Sequence, residues 1–231
     1  MTTTGDFQSA PSATFGTLSV SGTSAIGADM TTNSTQTYTG ATTVSANNTF
    51  TTTNSNLIFG NTLNSASSTA RNLTASVGTG VVQFSGEVGG TQSLGAISIT
   101  GGLDLDANIA SASSLSVSCT SNLGANVTTS GTQTYTGRAT LSSDTTLTGS
   151  TVNFGEQIIG GSNALTVTGN FDLDGAASGI SNLSVSGSSN LGANVTTTGT
   201  QTYTGATTLS AATTLQGSSV NLNAVTGGSN A

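Results

Sequence analysis

The chain holds three copies of a 17-residue segment, and this repeat limits the possible folds more than any other feature. Residues 121–137 (SNLGANVTTSGTQTYTG) and 189–205 are identical at sixteen of seventeen positions, and residues 24–40 form a more divergent third copy. Self-similarity at a long fixed period is typical of repeat architectures, in which each unit contacts only its neighbours. The repeat therefore predicts an array that builds length and surface, not a globule around one active site.

The composition favours short β-strands over disorder. Charged residues make up 5% of the chain, against about 25% in ordinary domains, and Thr, Ser, Gly, Asn and Ala are abundant. Runs such as Leu115-Ser116-Val117 and Leu183-Ser184-Val185 alternate apolar and polar residues between Gly, Asn and Ser. Alternation with a period of two, bounded by turn residues, is typical of β-strands.

Aligning the copies divides the chain into modules 1–96, 97–164 and 165–231, the first of which carries about 29 extra residues. Each module holds several strand-like segments, and three turns per 68-residue module give about 22 residues per turn, a usual length for a β-solenoid coil. The predicted fold is all-β, a single parallel β-helix (β-solenoid) over residues 1–231 with about ten coils. Leu, Val and Ile are expected inside, Thr and Ser outside, and Asn and Gly at the corners.

The ends of the repeat match each other. The second module ends GGSNA at Ala164 and is followed by LTVTGNFD, while the chain ends GGSNA at Ala231 and begins MTTTGDFQ. Solenoids normally carry caps, because a terminal coil exposes unpaired N–H and C=O groups, and the sequence shows no evident cap. Two interpretations follow, a segment of a longer solenoid or a subunit that stacks head to tail into a fibre. The expected assembly ends lie within Thr2–Phe7 and Ser219–Asn230, with Thr2, Thr4, Phe7, Val220, Leu222 and Val225 as the named residues.

Two longer segments, 71–101 (RNLTASVGTGVVQFSGEVGGTQSLGAISITG) and 200–222, resemble a known family of repeats. The family is the β-strand repeats of filamentous-haemagglutinin-like exoproteins and autotransporter passengers, which are secreted bacterial surface proteins. The resemblance implies a right-handed parallel β-helix, an extracellular or cell-surface location, and adhesion, aggregation or biofilm scaffolding. The implied partners are further copies of the chain, flanking solenoid repeats, and cell-surface or matrix glycans. LSVSGTS (18–24) is similar, more weakly, to the trimeric shafts of bacteriophage tail fibres.

The residue inventory argues against enzymatic chemistry and against several classes of partner. The chain has no His and no Lys, so the usual general bases and activators of nucleophiles are missing, and we expect neither an enzyme nor a cofactor. With a net charge of −7 and no basic patch, we expect no nucleic-acid binding. No run is apolar enough to insert into a membrane. Cys119 is the only cysteine, which leaves an intermolecular disulfide open.

Three further patterns have a functional and a structural interpretation. Asp104 with Asp106, and Asp172 with Asp174, share one face of a strand and are candidate Ca²⁺ ligands, but the nonapeptide calcium repeat is absent and a solvated acidic face is favoured. Rows such as Thr132, Thr134 and Thr136 indicate either an ice-binding array or ordinary exposed strands, and the second is favoured because each row is one strand wide per module. The recurring tyrosines are expected to pack inside the solenoid rather than form a sugar-binding stripe; they are Tyr38, Tyr135 and Tyr203.

The preferred function is a structural β-solenoid of an extracellular bacterial fibre or adhesin shaft, elongating by head-to-tail stacking. The alternatives are a binding module for ice, a divalent cation or a glycan, and a bacteriophage tail-fibre shaft.

Overall fold

The chain folds as a parallel β-solenoid of about 12 turns. A computed structural model describes residues 1–9 and 13–227; the part of the expected assembly end beyond residue 227 lies outside the described residues. All elements within these ranges are β-strands, and the strands pair in parallel. The chain comprises two compact units, Met1–Cys119 and Thr120–Ala231, called here the amino-terminal and carboxy-terminal units. The parallel β-helix predicted from the sequence is confirmed.

Each turn of the amino-terminal unit contributes strands to three faces. The first face holds β1 (Thr2–Thr3), β4 (Leu18–Val20), β7 (Gln36–Tyr38), β10 (Leu57–Phe59) and the later parts of β12 (Arg71–Phe84) and β13 (Leu94–Leu105). The second holds β2 (Phe7–Gln8), β5 (Ser24–Ile26), β8 (Thr42–Val44) and β11 (Leu63–Ser65), continued by single bridges through Val88 to Ile109. The third holds β3 (Ala13–Phe15), β6 (Met30–Thr32), β9 (Asn48–Thr52), the earlier parts of β12 and β13, and β14 (Ile109–Val117).

The carboxy-terminal unit also has three faces. Its first face holds β15 (Ser121–Leu123), β18 (Ala139–Leu141), β20 (Ile158–Ile159), β22 (Ala177–Ile180), β25 (Val195–Thr197) and β27 (Leu215–Gln216). The second holds β16 (Val127–Thr129), β23 (Leu183–Val185) and the earlier halves of β19 (Thr145–Phe154), β21 (Leu165–Leu173), β26 (Thr200–Leu209) and β28 (Ser219–Gly227). The third holds β17 (Gln133–Tyr135), β24 (Ser189–Leu191) and the later halves of β19, β21, β26 and β28.

The turns are unequal in length, and most are shorter than the expected 22 residues. Paired residues are 17 positions apart at Thr2 and Ser19 but 25 apart at Leu57 and Val82. The sequence repeat is also not a whole number of turns. Ser121 begins a strand on the first face of its unit, whereas Ser189, its counterpart 68 residues later, lies on the third. The 68-residue module therefore spans three turns and two further faces, which is why dividing it by three gave too few coils.

The core is a thin column of inward-facing side chains. Most short strands bury their first and third residues and leave the middle residue partly exposed, as in Leu18–Val20. Aromatic rings stack from turn to turn within a unit, with centroids 5.4 Å apart for Tyr38 and Phe59 and 4.9 Å apart for Tyr135 and Phe154. Each of the three recurring tyrosines is at most 1% exposed. The expectation that they pack inside the solenoid is confirmed.

Candidate functional site

The expected carboxy-terminal assembly residues lie on β28, the last described strand. One edge of β28 pairs with β26, with Gln201 opposite Val220 and Tyr203 opposite Leu222. Among residues 1–9 and 13–227, no strand pairs with its other edge. Leu222 is 37% exposed and Val225 is 50% exposed. These apolar side chains therefore sit at inward positions without a turn above them.

The preceding module contains the counterpart of β28, and there a further turn covers the strand. Val152 pairs with Gln133 as Val220 pairs with Gln201, so β19 is the counterpart of β28. Val220 and Leu222 correspond to Val152 and Phe154 on β19. Val225 corresponds to Ile158 on β20, which pairs with Ala139 as Val225 pairs with Thr207. These counterparts are almost completely buried, at 0 to 1% exposure, because β21 and β22 cover them. Within the described residues, β28 therefore has the sequence and pairing of a core strand, but no turn covers it.

The expected amino-terminal assembly residues lie in the first turn of the chain. Thr2 and Thr4 are exposed and Phe7 is half-buried. Strands β1 and β2 each pair on one edge only within the described residues, with β4 and β5 respectively. The named residues at this end therefore also lie next to unpaired strand edges.

This first turn reproduces the turn that begins at Leu165. Phe7 pairs with Ser24 as Phe171 pairs with Ser189. At the preceding corner, Asp6 Oδ1 accepts hydrogen bonds from the backbone N–H of Thr23 at 3.0 Å and from its hydroxyl at 2.8 Å. The corresponding side chain, Asn170, accepts the same two bonds from Ser188, at 3.1 and 2.9 Å.

The candidate acidic residues do not stack into a ladder within either unit. Asp104 lies beside Gln83, and Asp172 lies between Asn153 and Asn190 on adjacent turns. Carboxylates of these pairs accept hydrogen bonds from amides, including Asn190 Nδ2 to Asp172 Oδ1 at 2.8 Å and Gln83 Nε2 to Asp106 Oδ2 at 2.8 Å. Asp174 is exposed. Across the described residues no group of three His, Cys, Asp or Glu could hold a metal ion.

The second face of the carboxy-terminal unit carries two ranks of hydroxyl groups. One rank follows the pairing from Thr146 to Thr166, Ser184 and Thr202, and the other runs from Thr128 to Thr148 and Thr168. The threonine rows singled out in the sequence are separated, since Thr134 lies on the third face. Sequence reasoning missed these ranks because it compared positions 68 residues apart, which fall on different faces.

Sequence reasoning also missed a buried glutamine that precedes each recurring tyrosine by two residues. Gln133 Nε2 donates to the carbonyl oxygens of Val127 at 3.2 Å and Thr148 at 2.8 Å, which belong to successive turns of the neighbouring face. The Tyr135 hydroxyl donates to Gln133 Oε1 at 3.0 Å. The same bonds recur at Gln36 and Gln201, and each glutamine is fully buried. The threefold QTYTG motif was the available signal.

Two remaining features concern reactivity and membranes. Cys119 is a free, exposed cysteine at the position that Gly22 and Gly187 occupy in the sister segments. Within the described ranges, no helix has the length and hydropathy needed to cross a membrane.

No protein-family model, curated protein or solved structure matches this chain.

Proposed function

We propose that this protein is a structural β-solenoid of an extracellular bacterial fibre or adhesin shaft that elongates by head-to-tail stacking. The observation that carries the proposal is the uncovered edge of β28, where Leu222 and Val225 are 37% and 50% exposed. An unpaired strand edge with apolar neighbours is a template for another chain. A contact between two different ends of a molecule need not close into a ring, so it yields a filament.

The thin, repetitive core suits a mechanical role. Backbone hydrogen bonds join successive turns, and the sequence offers neither His nor Lys for acid–base or nucleophilic chemistry. The extracellular setting and the adhesive surface rest on the resemblance to secreted repeat proteins. Weak contacts repeated along a filament would then add up to firm attachment.

Electron microscopy of the purified chain over a concentration series tests the proposal. We expect filaments that lengthen with concentration in the wild type and none for Leu222→Asp, because an unpaired carboxylate would be buried at the joint. Thr208→Asp is the matched control, since Thr208 is exposed at an outward position of β26 and both edges of that strand are already paired. Isolated particles at every wild-type concentration would overturn head-to-tail elongation.

The hydroxyl ranks favour a second candidate function, the binding of ice. Two adjacent turns of the carboxy-terminal unit each carry a pair of threonines, in the segments Thr146–Thr148 and Thr166–Thr168. Strand pairing aligns the two pairs in register. Strand geometry sets about 6.6 Å between hydroxyls along a strand and about 4.8 Å between strands, a regular lattice without formal charge.

Ice-recrystallisation inhibition measures this activity directly. We expect inhibition by the wild type and its loss in Thr166→Lys, which places a long charged side chain in the centre of the lattice. Thr134→Lys makes the same change on the third face and should retain the activity. Equal activity of both variants, or none in the wild type, would contradict ice binding.

A further inference from the structure

We propose that the incoming copy joins β28 in one defined register, with its Gly5 stacked on Gly217, its Phe7 over Val220 and its Gln8 beside Asn221. This inference rests on the proposed head-to-tail function and specifies the partner surface. It follows from two equivalences already described, β28 with β19 and the first turn of the chain with the turn that begins at Leu165.

The covered strand β19 supplies the register. Phe171 lies over Val152, and Asp172 lies beside Asn153. Phe171 corresponds to Phe7 because each pairs with the first serine of a repeat segment, and the sequences GNFD and GDFQ align around them. Val152 corresponds to Val220. A second copy that continues the same pattern therefore places Phe7 over Val220.

A column of glycines fixes the approach of the two backbones. A Cβ added to Gly169 would lie 1.9 Å from the Gly149 carbonyl oxygen, so the turn at this corner accepts only glycine. Gly217 is the counterpart of Gly149, since an added Cβ at each meets a threonine Oγ1 and a glycine carbonyl oxygen of the turn below, at 2.6 to 2.8 Å. Gly5 is the counterpart of Gly169 in the GDFQ alignment.

Gly5 differs from Gly169 in one respect that makes the proposal testable. A Cβ at Gly5 has no atom within 4 Å, because the turn of Gly22 lies against Gly5 on the side away from that Cβ and no other turn of the described chain lies on the Cβ side. Gly5→Ala should therefore leave the thermal unfolding of the unassembled chain unchanged. In the proposed joint the same methyl group meets the Gly217 backbone, so this substitution should abolish filaments or raise the critical concentration at least tenfold.

Gly16→Ala is the matched control. Gly16 also has nothing within 4 Å of an added Cβ. Phe15, which precedes it, pairs with Thr32 as Ile180 pairs with Thr197, and the residue after Ile180 is Ser181. Because a turn covered on both sides already accommodates a side chain there, Gly16→Ala should assemble as the wild type does.

Disulfide trapping tests the register of the proposed joint independently of the glycine substitutions. In a Cys119→Ser background, a mixture of Gln8→Cys and Asn221→Cys chains should yield covalent dimers, because paired neighbours about 4.8 Å apart fall within the Cα separation of disulfides. Ser219→Cys replaces Asn221→Cys in the control and should yield none, since a two-residue offset gives about 8 Å, beyond the reach of the bond.

The outcomes separate the two proposals. Absence of wild-type filaments would overturn head-to-tail elongation itself. Filaments that form normally with Gly5→Ala, or that cross-link through Ser219→Cys in preference to Asn221→Cys, would keep elongation and overturn this register.

Discussion

Gln133 holds two turns of the carboxy-terminal unit together from inside the core. Its amide nitrogen donates hydrogen bonds to carbonyl oxygens on successive turns, while its amide oxygen accepts a hydrogen bond from the Tyr135 hydroxyl. Buried polar groups contribute most to the stability of a fold when all of their hydrogen bonds are made. When one such group is removed, the partners that it leaves without a hydrogen bond destabilise the fold. Glutamine ordinarily occupies exposed strand positions, but Gln133 is a buried residue that stabilises the core.

Gln133→Ala should lower the free energy of unfolding by about 3 kcal/mol, because it removes the hydrogen bonds that the carbonyl oxygens of Val127 and Thr148 and the Tyr135 hydroxyl make with this amide in the core. Tyr135→Phe should cost about 1 kcal/mol, since its ring still packs on Phe154. Urea unfolding of both variants and the double variant measures the coupling between the two side chains. Purely additive effects would show that the hydrogen bond between them contributes nothing.

The burial of the tyrosines could be predicted from the sequence but that of the glutamines was missed, for a physical reason. Inward and outward positions followed from alternation, so the burial of Tyr38 and its sisters could be predicted. The burial of Gln36 could not, because a glutamine becomes a core residue only when backbone carbonyls of two turns converge on its amide. The recurring motif places Gln36 on the same face as Tyr38, but the convergence of the carbonyls depends on three-dimensional stacking, which alternation alone does not reveal.

At the scale of elements, the strands are short and the corners decide how closely the turns approach. In the carboxy-terminal unit, an added Cβ at Gly187 would lie 2.4 Å from the Gly169 carbonyl oxygen, and one at Gly205 would lie 2.3 Å from that of Gly187. These contacts involve backbone atoms that cannot move aside without separating paired strands. Close approach of the backbones is therefore the reason for glycine at the corner that Gly205 occupies.

Gly187→Ala should destabilise the folded chain by about 3 kcal/mol, because the methyl group must displace the backbone of the turn below. Gly5→Ala, at the counterpart of the neighbouring corner residue Gly169, should have no effect on the same unfolding transition because an added Cβ there has no atom within 4 Å. Circular dichroism during thermal unfolding measures both. A normal melting temperature for Gly187→Ala would mean that the turns can separate at this corner without loss.

The residues named for the proposed joint came from the sequence, whereas the strand pairing around them came only from the structure. Matching the sequence after Ala164 with the start of the chain pointed to Phe7 and Leu222. The number of turns per module was wrong, because the copies were assumed to stack directly over one another. Ser121 and Ser189 lie on different faces, and only the pairing of strands reveals that displacement.

At the scale of the whole molecule, the buried tyrosines couple stability to alkaline pH. Burial raises the pKa of Tyr38, Tyr135 and Tyr203 above the ordinary value of 10. In the unfolded chain each phenol ionises near pH 10, so the folded state binds more protons above that pH. The stability contributed by the protonated phenols is fully present below pH 10 and is lost as the pH rises beyond it.

The urea midpoint should therefore be constant between about pH 7 and about pH 9 and should fall steeply above about pH 10, with tyrosinate absorbance appearing only on unfolding. The variant Tyr135→Phe removes one of the three groups and should show a shallower decline. Tyrosinate absorbance near pH 10 in a chain that remains folded would contradict the burial of the phenols.

The displacement of the repeat by a fraction of a turn has a consequence for how such a chain can lengthen. A duplicated segment does not need to contain a whole number of turns, because one face accepts the strand and corner residues of another. An insertion can be as short as one face of a turn. Every residue after the insertion then moves to the next face around the solenoid axis. Duplication thus changes the direction in which a surface motif points as well as the length of the solenoid.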